Sequence, residues 1–133
     1  MKRKEYICPK CEGHLKVNLK IIFLAQKENG KRGLILLNPE LGDYKRISHE
    51  SLNLVDGEQI TFLCPICHAD LSAVDINKNL AAILMTDEDN IEYKILFSEI
   101  LGEKCTYKVY KKEVEAFGED SSQYMNYFGT GPQ

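Results

Sequence analysis

The feature that most constrains this chain is a four-residue pattern that occurs twice. Cys8-Pro9-Lys10-Cys11 and Cys64-Pro65-Ile66-Cys67 are two C-P-x-C turns with 52 residues between them. A C-x2-C turn aims two thiolates at one point. Two such turns supply four soft ligands at tetrahedral angles, the donor set that Zn²⁺ takes at about 2.3 Å per Zn–S bond. Proline after the first cysteine fixes φ and has no N–H. The amides that follow are free to point at the sulfurs and spread their charge. The spacing therefore predicts one structural zinc ion held by Cys8, Cys11, Cys64 and Cys67. Four thiolates close the coordination shell, so hydrolysis at the metal is not expected and the chain reads as a non-enzyme. Disulfide pairing would leave one of the five cysteines over and would need an oxidising compartment. A redox C-x-x-C occurs once, at the start of a helix, and not as a matched pair.

The two motifs resemble the paired knuckles of zinc-ribbon and rubredoxin-like proteins, over the knuckles and a few flanking residues. The resemblance implies a β-rich fold with the metal between two hairpin-borne knuckles. Such proteins include transcription factors, RNA-binding proteins, enzyme accessory domains and electron carriers, so the resemblance does not fix a function. Glu12 and His68 follow the knuckles where rubredoxins typically have Gly, which argues against an iron electron-transfer site. The residue after a knuckle often needs φ > 0, and His is enriched there, so His68 reads as a turn residue and not a ligand. His14 and His49 stand alone and read as solvated or structural. Cys105 has no visible base or oxyanion site beside it and reads as a small buried hydrophobe. Asp87-Glu88-Asp89 lacks the spacing of a calcium loop and reads as a solvated turn.

The two halves also resemble each other. Ile7 to Cys11 matches Leu63 to Cys67 at an offset of 56, and Leu15 matches Leu71. Ile35-Leu36 matches Ile95-Leu96, and Leu41-Gly42 matches Leu101-Gly102, at an offset of 60. A four-residue insertion in the second half accounts for the change. Ile21–Leu24 and Leu34–Leu37 read as strands around the turn-former Asn29-Gly30. Ala82–Met85 and Tyr93–Phe97 flank Asp87–Asn90 in the same way. Asn38-Pro39 to Gly42, and Ser98-Glu99 to Gly102, each predict one helical turn, and a Tyr-bearing segment follows at Tyr44 and at Tyr107. Between the halves, Ser48–Gly57 reads as a loop with one short strand, and Gln59–Leu63 alternates as a strand into the second knuckle. Lys111–Glu115 extends a strand or forms a short helix, and Asp120-Ser121-Ser122 caps a brief helix stopped by Gly129. The expected fold is mainly β and zinc-ribbon-like, with two knuckle-plus-hairpin halves around one metal. A single domain over 1–118 carries pseudo-repeats at 5–47 and 61–110, and 119–133 forms a C-terminal aromatic segment and tail.

Charge bears on partners. The net charge of −3 over 133 residues excludes a uniformly basic nucleic-acid coat. It is, however, the difference between +6 over residues 1–46 and −9 over residues 47–133. Lys10, Lys31, Arg32, Lys45 and Arg46 are candidate nucleic-acid contacts, with Tyr6 and Tyr44 placed to stack on bases. A zinc ion held by four thiolates carries a net −2, which gives nearby lysines a structural role as well. Tyr124, Met125, Tyr127 and Phe128 form an aromatic segment that docks either on a partner or on its own core. The leading expectation is a protein-interaction module, and a nucleic-acid-binding ribbon is the alternative. No small-molecule substrate is expected. No apolar run approaches the roughly 18 residues of a membrane span. The basic start, Met1-Lys2-Arg3-Lys4, runs into Glu5 and the first knuckle instead of an apolar stretch, so the expected location is cytoplasmic.

Overall fold

The computed structural model describes residues 4–128, with side chains through Met125. Ten strands occur in these residues: β1 Glu5–Ile7, β2 Lys16–Val17, β3 Lys20–Gln26, β4 Arg32–Leu37, β5 Arg46–Ser48, β6 Thr61–Leu63, β7 Leu80–Thr86, β8 Glu92–Ser98, β9 Thr106–Tyr110 and β10 Glu113–Phe117. The described residues contain no α-helix.

Two antiparallel hairpins, β3–β4 and β7–β8, form the framework. β3 alternates, with Ile21, Phe23 and Ala25 buried and the residues between them half-exposed. That is the signature of a strand with one face on a core. β7 is buried on both faces, as its unbroken run Leu80-Ala81-Ala82-Ile83 requires. One sheet has the order β2–β3–β4–β5, with β6 also on β3, and the other has the order β1–β7–β8–β9–β10. The pairing is crossed. β1 leads into the first knuckle but lies on β7, with Tyr6 opposite Met85. β6 leads into the second knuckle but lies on β3, with Phe62 opposite Ala25.

The same backbone events recur along the chain. The starts of β3 and β7, of β4 and β8, and of β5 and β9 are each 60 residues apart. Asn38 Oδ1 accepts from Glu40 N (2.9 Å), and Ser98 Oγ from Ile100 N (3.0 Å). Gly42 and Gly102 both have φ in the left-handed region, at 94° and 90°. Before the hairpins the spacing is 56: Leu15 N donates to Tyr6 O, and Leu71 N to Phe62 O. The extra residues lie between Leu71 and Leu80, where an additional turn closes with Ile76 N and Asn77 N on Ala73 O.

Several local expectations are corrected. Asn38–Gly42 and Ser98–Gly102 are tight turns, not helical turns. Their first residues bond the backbone two positions on, as capping residues also do outside helices. Ser48–Gly57 holds a 3₁₀ turn, Glu50–Leu52, where a short strand was expected. His49 caps it by accepting from Ser51 N, and Leu52 is buried. Lys111, at φ 56°, turns the chain into β10. The C-terminal element Ser121–Phe128 is a 3₁₀ helix.

Two apolar clusters hold the sheets. The larger lies between them and includes a ring trio, Phe23, Phe62 and Phe97, with centroids 5.0–5.4 Å apart. The smaller covers the outer face of the second sheet with Leu80, Leu96, Tyr107 and Tyr124. Gly118 (φ 99°) lies where an added Cβ would overlap the Lys104 carbonyl and the Tyr44 hydroxyl, so only glycine lets the chain pass there.

Candidate metal centre

Each knuckle is the tip of a short hairpin. Bridges between Ile7 and His14, and between Leu63 and Asp70, close the two bases. Cys8 N donates to Gly13 O (2.9 Å), and Glu12 N returns to Cys8 O (2.9 Å). In the second knuckle Cys64 N donates to Ala69 O (3.0 Å), and His68 N to Cys64 O (2.9 Å). Glu12 and His68 both have φ 63°, so His68 occupies the left-handed position expected of it. Proline at the second position leaves the next two amides to the sulfur. Lys10 N and Cys11 N lie 3.3 and 3.4 Å from Cys8 Sγ, and Ile66 N and Cys67 N lie 3.3 and 3.5 Å from Cys64 Sγ.

The four sulfurs lie within 4.8 Å of one another. Cys8 Sγ is 3.9 Å from Cys67 Sγ, and Cys11 Sγ is 3.8 Å from Cys64 Sγ. These are far beyond a disulfide bond of about 2.05 Å. Sulfurs about 2.3 Å from a tetrahedral ion lie about 3.8 Å apart, so the donor set and its spacing fit a thiolate-bound metal. Each knuckle gives one buried sulfur, on Cys8 and Cys64, and one exposed sulfur, on Cys11 and Cys67. Burial pushes the Cys64 thiol up to about 12, against the pull of its two amide donors. Cys8 is also opposed by burial, but the Cys11 and Lys10 amides hold it below the ordinary thiol value. Four negative sulfurs this close need a cation, and protons compete for the same positions.

The other candidate residues are dispersed. Lys10 is exposed on the first knuckle. Lys31 and Arg32 sit at the β3–β4 tip, where Lys31 Nζ donates to Ser51 O and Arg32 Nε to Gln26 Oε1 (2.6 Å). Lys45 and Arg46 lie at the opposite end of β4, since Leu37 pairs with Arg46. Five residue steps of about 3.3 Å separate the two groups by roughly 17 Å. Arg46 is ion-paired with Asp56 at 2.9 Å. Tyr6 is fully buried, with its hydroxyl donating to Pro39 O (2.6 Å), so its ring is not presented for stacking, and Tyr44 is half-buried, with its hydroxyl tied to Thr106 Oγ1 and Phe117 O. Tyr124 is buried in the second cluster and Met125 packs against it, so this part of the aromatic segment docks on its own core. The side chains of Tyr127 and Phe128 lie outside the described residues.

Cys105 is fully buried, and burial, with Glu103 adding to it, pushes its thiol up to about 12. His14 faces Glu5 at 3.4 Å on the surface. Asp87 accepts from Ile91 N and Asp89 N (both 3.0 Å), and these bonds, Ile91 foremost, draw its carboxyl below the usual range. One residue escaped the sequence reading. Glu99 is buried, accepting from Phe62 N (2.9 Å) and Ser72 Oγ (2.7 Å), and so ties the strand before the second knuckle to the segment after it. An acid inside the run Ile95-Leu96-Phe97-Ser98-Glu99-Ile100-Leu101 was the available signal.

No family model matches this chain, and no curated protein or solved structure is similar to it at a significant level. Among the described residues no helix is long and apolar enough to cross a membrane.

Proposed function

We propose that this chain is a duplicated, zinc-clamped β module whose outward sheet face binds a protein partner. The duplication is supported by the recurring turns and bonds at spacings of 56 and 60 residues. Zinc is supported by four soft donors at tetrahedral spacing with amides directed at two of the sulfurs. The arrangement resembles a zinc ribbon in its knuckles.

The observation that carries the interaction reading is an asymmetry between equivalent faces. On the second sheet the outer face is covered by Tyr107 and Tyr124, the latter from Ser121–Phe128. On the first sheet the corresponding face presents Ile22, Leu24, Leu34, Leu36 and Ile47 as direct cross-strand neighbours. Leu34 is 52% exposed and Ile47 54%. A contiguous apolar sheet face of this kind marks a docking surface more often than a solvated one. The basic residues, split between the two ends of β4, make a weaker surface for a nucleic acid.

A photo-crosslinking residue at Leu34 tests this in cells. The expected result is one discrete protein adduct, lost when Ile47→Glu is added and absent when the crosslinker replaces Lys112. No adduct, or the same adduct from position 112, would sink the reading.

A further inference from the structure

A cavity of about 320 Å³ lies between the two sheets, apart from the metal centre and from the outward face. Its deep wall is apolar: Tyr6, Phe23, Phe62, Ile83 and Ile95 are buried and line it, with Phe97 beside them. Its mouth is framed by the corresponding turns of the two halves, 38–44 and 98–104. The volume equals the share of roughly ten liquid waters, and it falls at the low end of the range for small-molecule sites. An apolar wall cannot supply the hydrogen bonds that so many waters need, so an organic guest suits it better than solvent.

The rim selects the guest by charge. Four carboxylates line the cavity, on Glu40, Asp43, Asp56 and Glu103, against two cations, Arg46 and Lys104. Both cations are already engaged, Arg46 with Asp56 at 2.9 Å and Lys104 with Glu119 at 3.9 Å. Among the described residues, Asp43 and Glu103 accept only from neutral groups. The Glu40 carboxylate is exposed and makes no hydrogen bond or ion pair among the described residues, and its charge adds to burial in raising the Tyr6 hydroxyl. The rim thus offers unneutralised negative charge at the mouth of a cavity whose walls include aromatic rings. Carboxylates and ring faces both attract cations, and both repel or ignore anions.

We infer that the inter-sheet cavity is a binding site for a small organic cation, its apolar body among the Phe rings and its ammonium at the Glu40 and Asp43 rim. This site was not foreseen from the sequence, because its walls come from both halves. It is independent of the partner-binding face.

Three probes with one six-carbon body test the site on the intact, metal-loaded chain: hexylammonium, hexan-1-ol and hexanoate. NMR titration at low ionic strength follows the Phe23 and Phe97 ring signals. Hexylammonium is expected to shift them saturably and to bind about tenfold or more tighter than hexanoate, with hexanol between. Glu40→Gln with Asp43→Asn, at the rim, should bring the ratio to about threefold or less while keeping the shifts of hexanol. The inference is overturned if no probe moves the rings, if hexanol or hexanoate matches hexylammonium, or if the double substitution leaves the ratio unchanged.

Discussion

Glu99 shows what one side chain does to this core. Its carboxyl is 2% exposed, and both oxygens accept hydrogen bonds, from Phe62 N and Ser72 Oγ. Burial raises it to about 7; these two bonds pull the other way, and Asp70 adds to the rise. An unfolded glutamate titrates near 4.3. Between these values the native state keeps a proton that the unfolded state has released, so stability falls as pH rises. The loss begins near pH 4.5 and is complete somewhat above 7, and it is on the order of 4 kcal/mol at most. Glu99→Gln retains an acceptor for Phe62 N and cannot ionise. We expect urea midpoints of the wild type to fall between pH 5 and 8 relative to those of the variant. Parallel curves would show that the carboxyl is solvated in solution.

At the scale of elements, Ser121–Phe128 replaces solvent over the outer face of the second sheet. Tyr124 is 3% exposed, and its hydroxyl donates to Glu103 Oε1 at 2.8 Å. Tyr107 donates to Ser121 O and accepts from Tyr124 N, fixing the segment to β9. Tyr124→Ala should cost about 3–5 kcal/mol, the range for removing a buried ring. Leu34→Ser, on the uncovered face, should change stability by no more than about 0.5 kcal/mol. Equal losses in urea denaturation would mean that the first sheet is covered in solution too. The sequence made the hairpins legible, because Asn29-Gly30 and the flanking apolar runs are local signals. The knuckles were legible for the same reason. The turns at Asn38 and Ser98 were misread as helical because side chains that cap helices also close tight turns. β10 and the 3₁₀ geometry of the tail depend on contacts with β9, which no local pattern carries.

On the scale of the molecule, the crossed strands decide how the fold is held. β1 completes a sheet built from the second half, and β6 completes one built from the first. That exchange was invisible in the sequence, since pairing across such distances leaves no local trace. It has a consequence for the metal. Cys8 follows β1 and Cys64 follows β6, so each knuckle hangs from a strand anchored in the opposite sheet. A metal between the knuckles then joins two units that already hold each other, and its binding energy becomes folding energy for both. Fragments 1–57 and 58–133 should therefore be unstructured alone, and should regain β-sheet circular dichroism when mixed with zinc but not with zinc and a chelator. Cys11→Ser and Cys67→Ser, one exposed ligand from each half, should weaken this reassembly alike. A second half that folded alone with zinc would mean that β1 is dispensable, and the clamp would have to be assigned to one knuckle only.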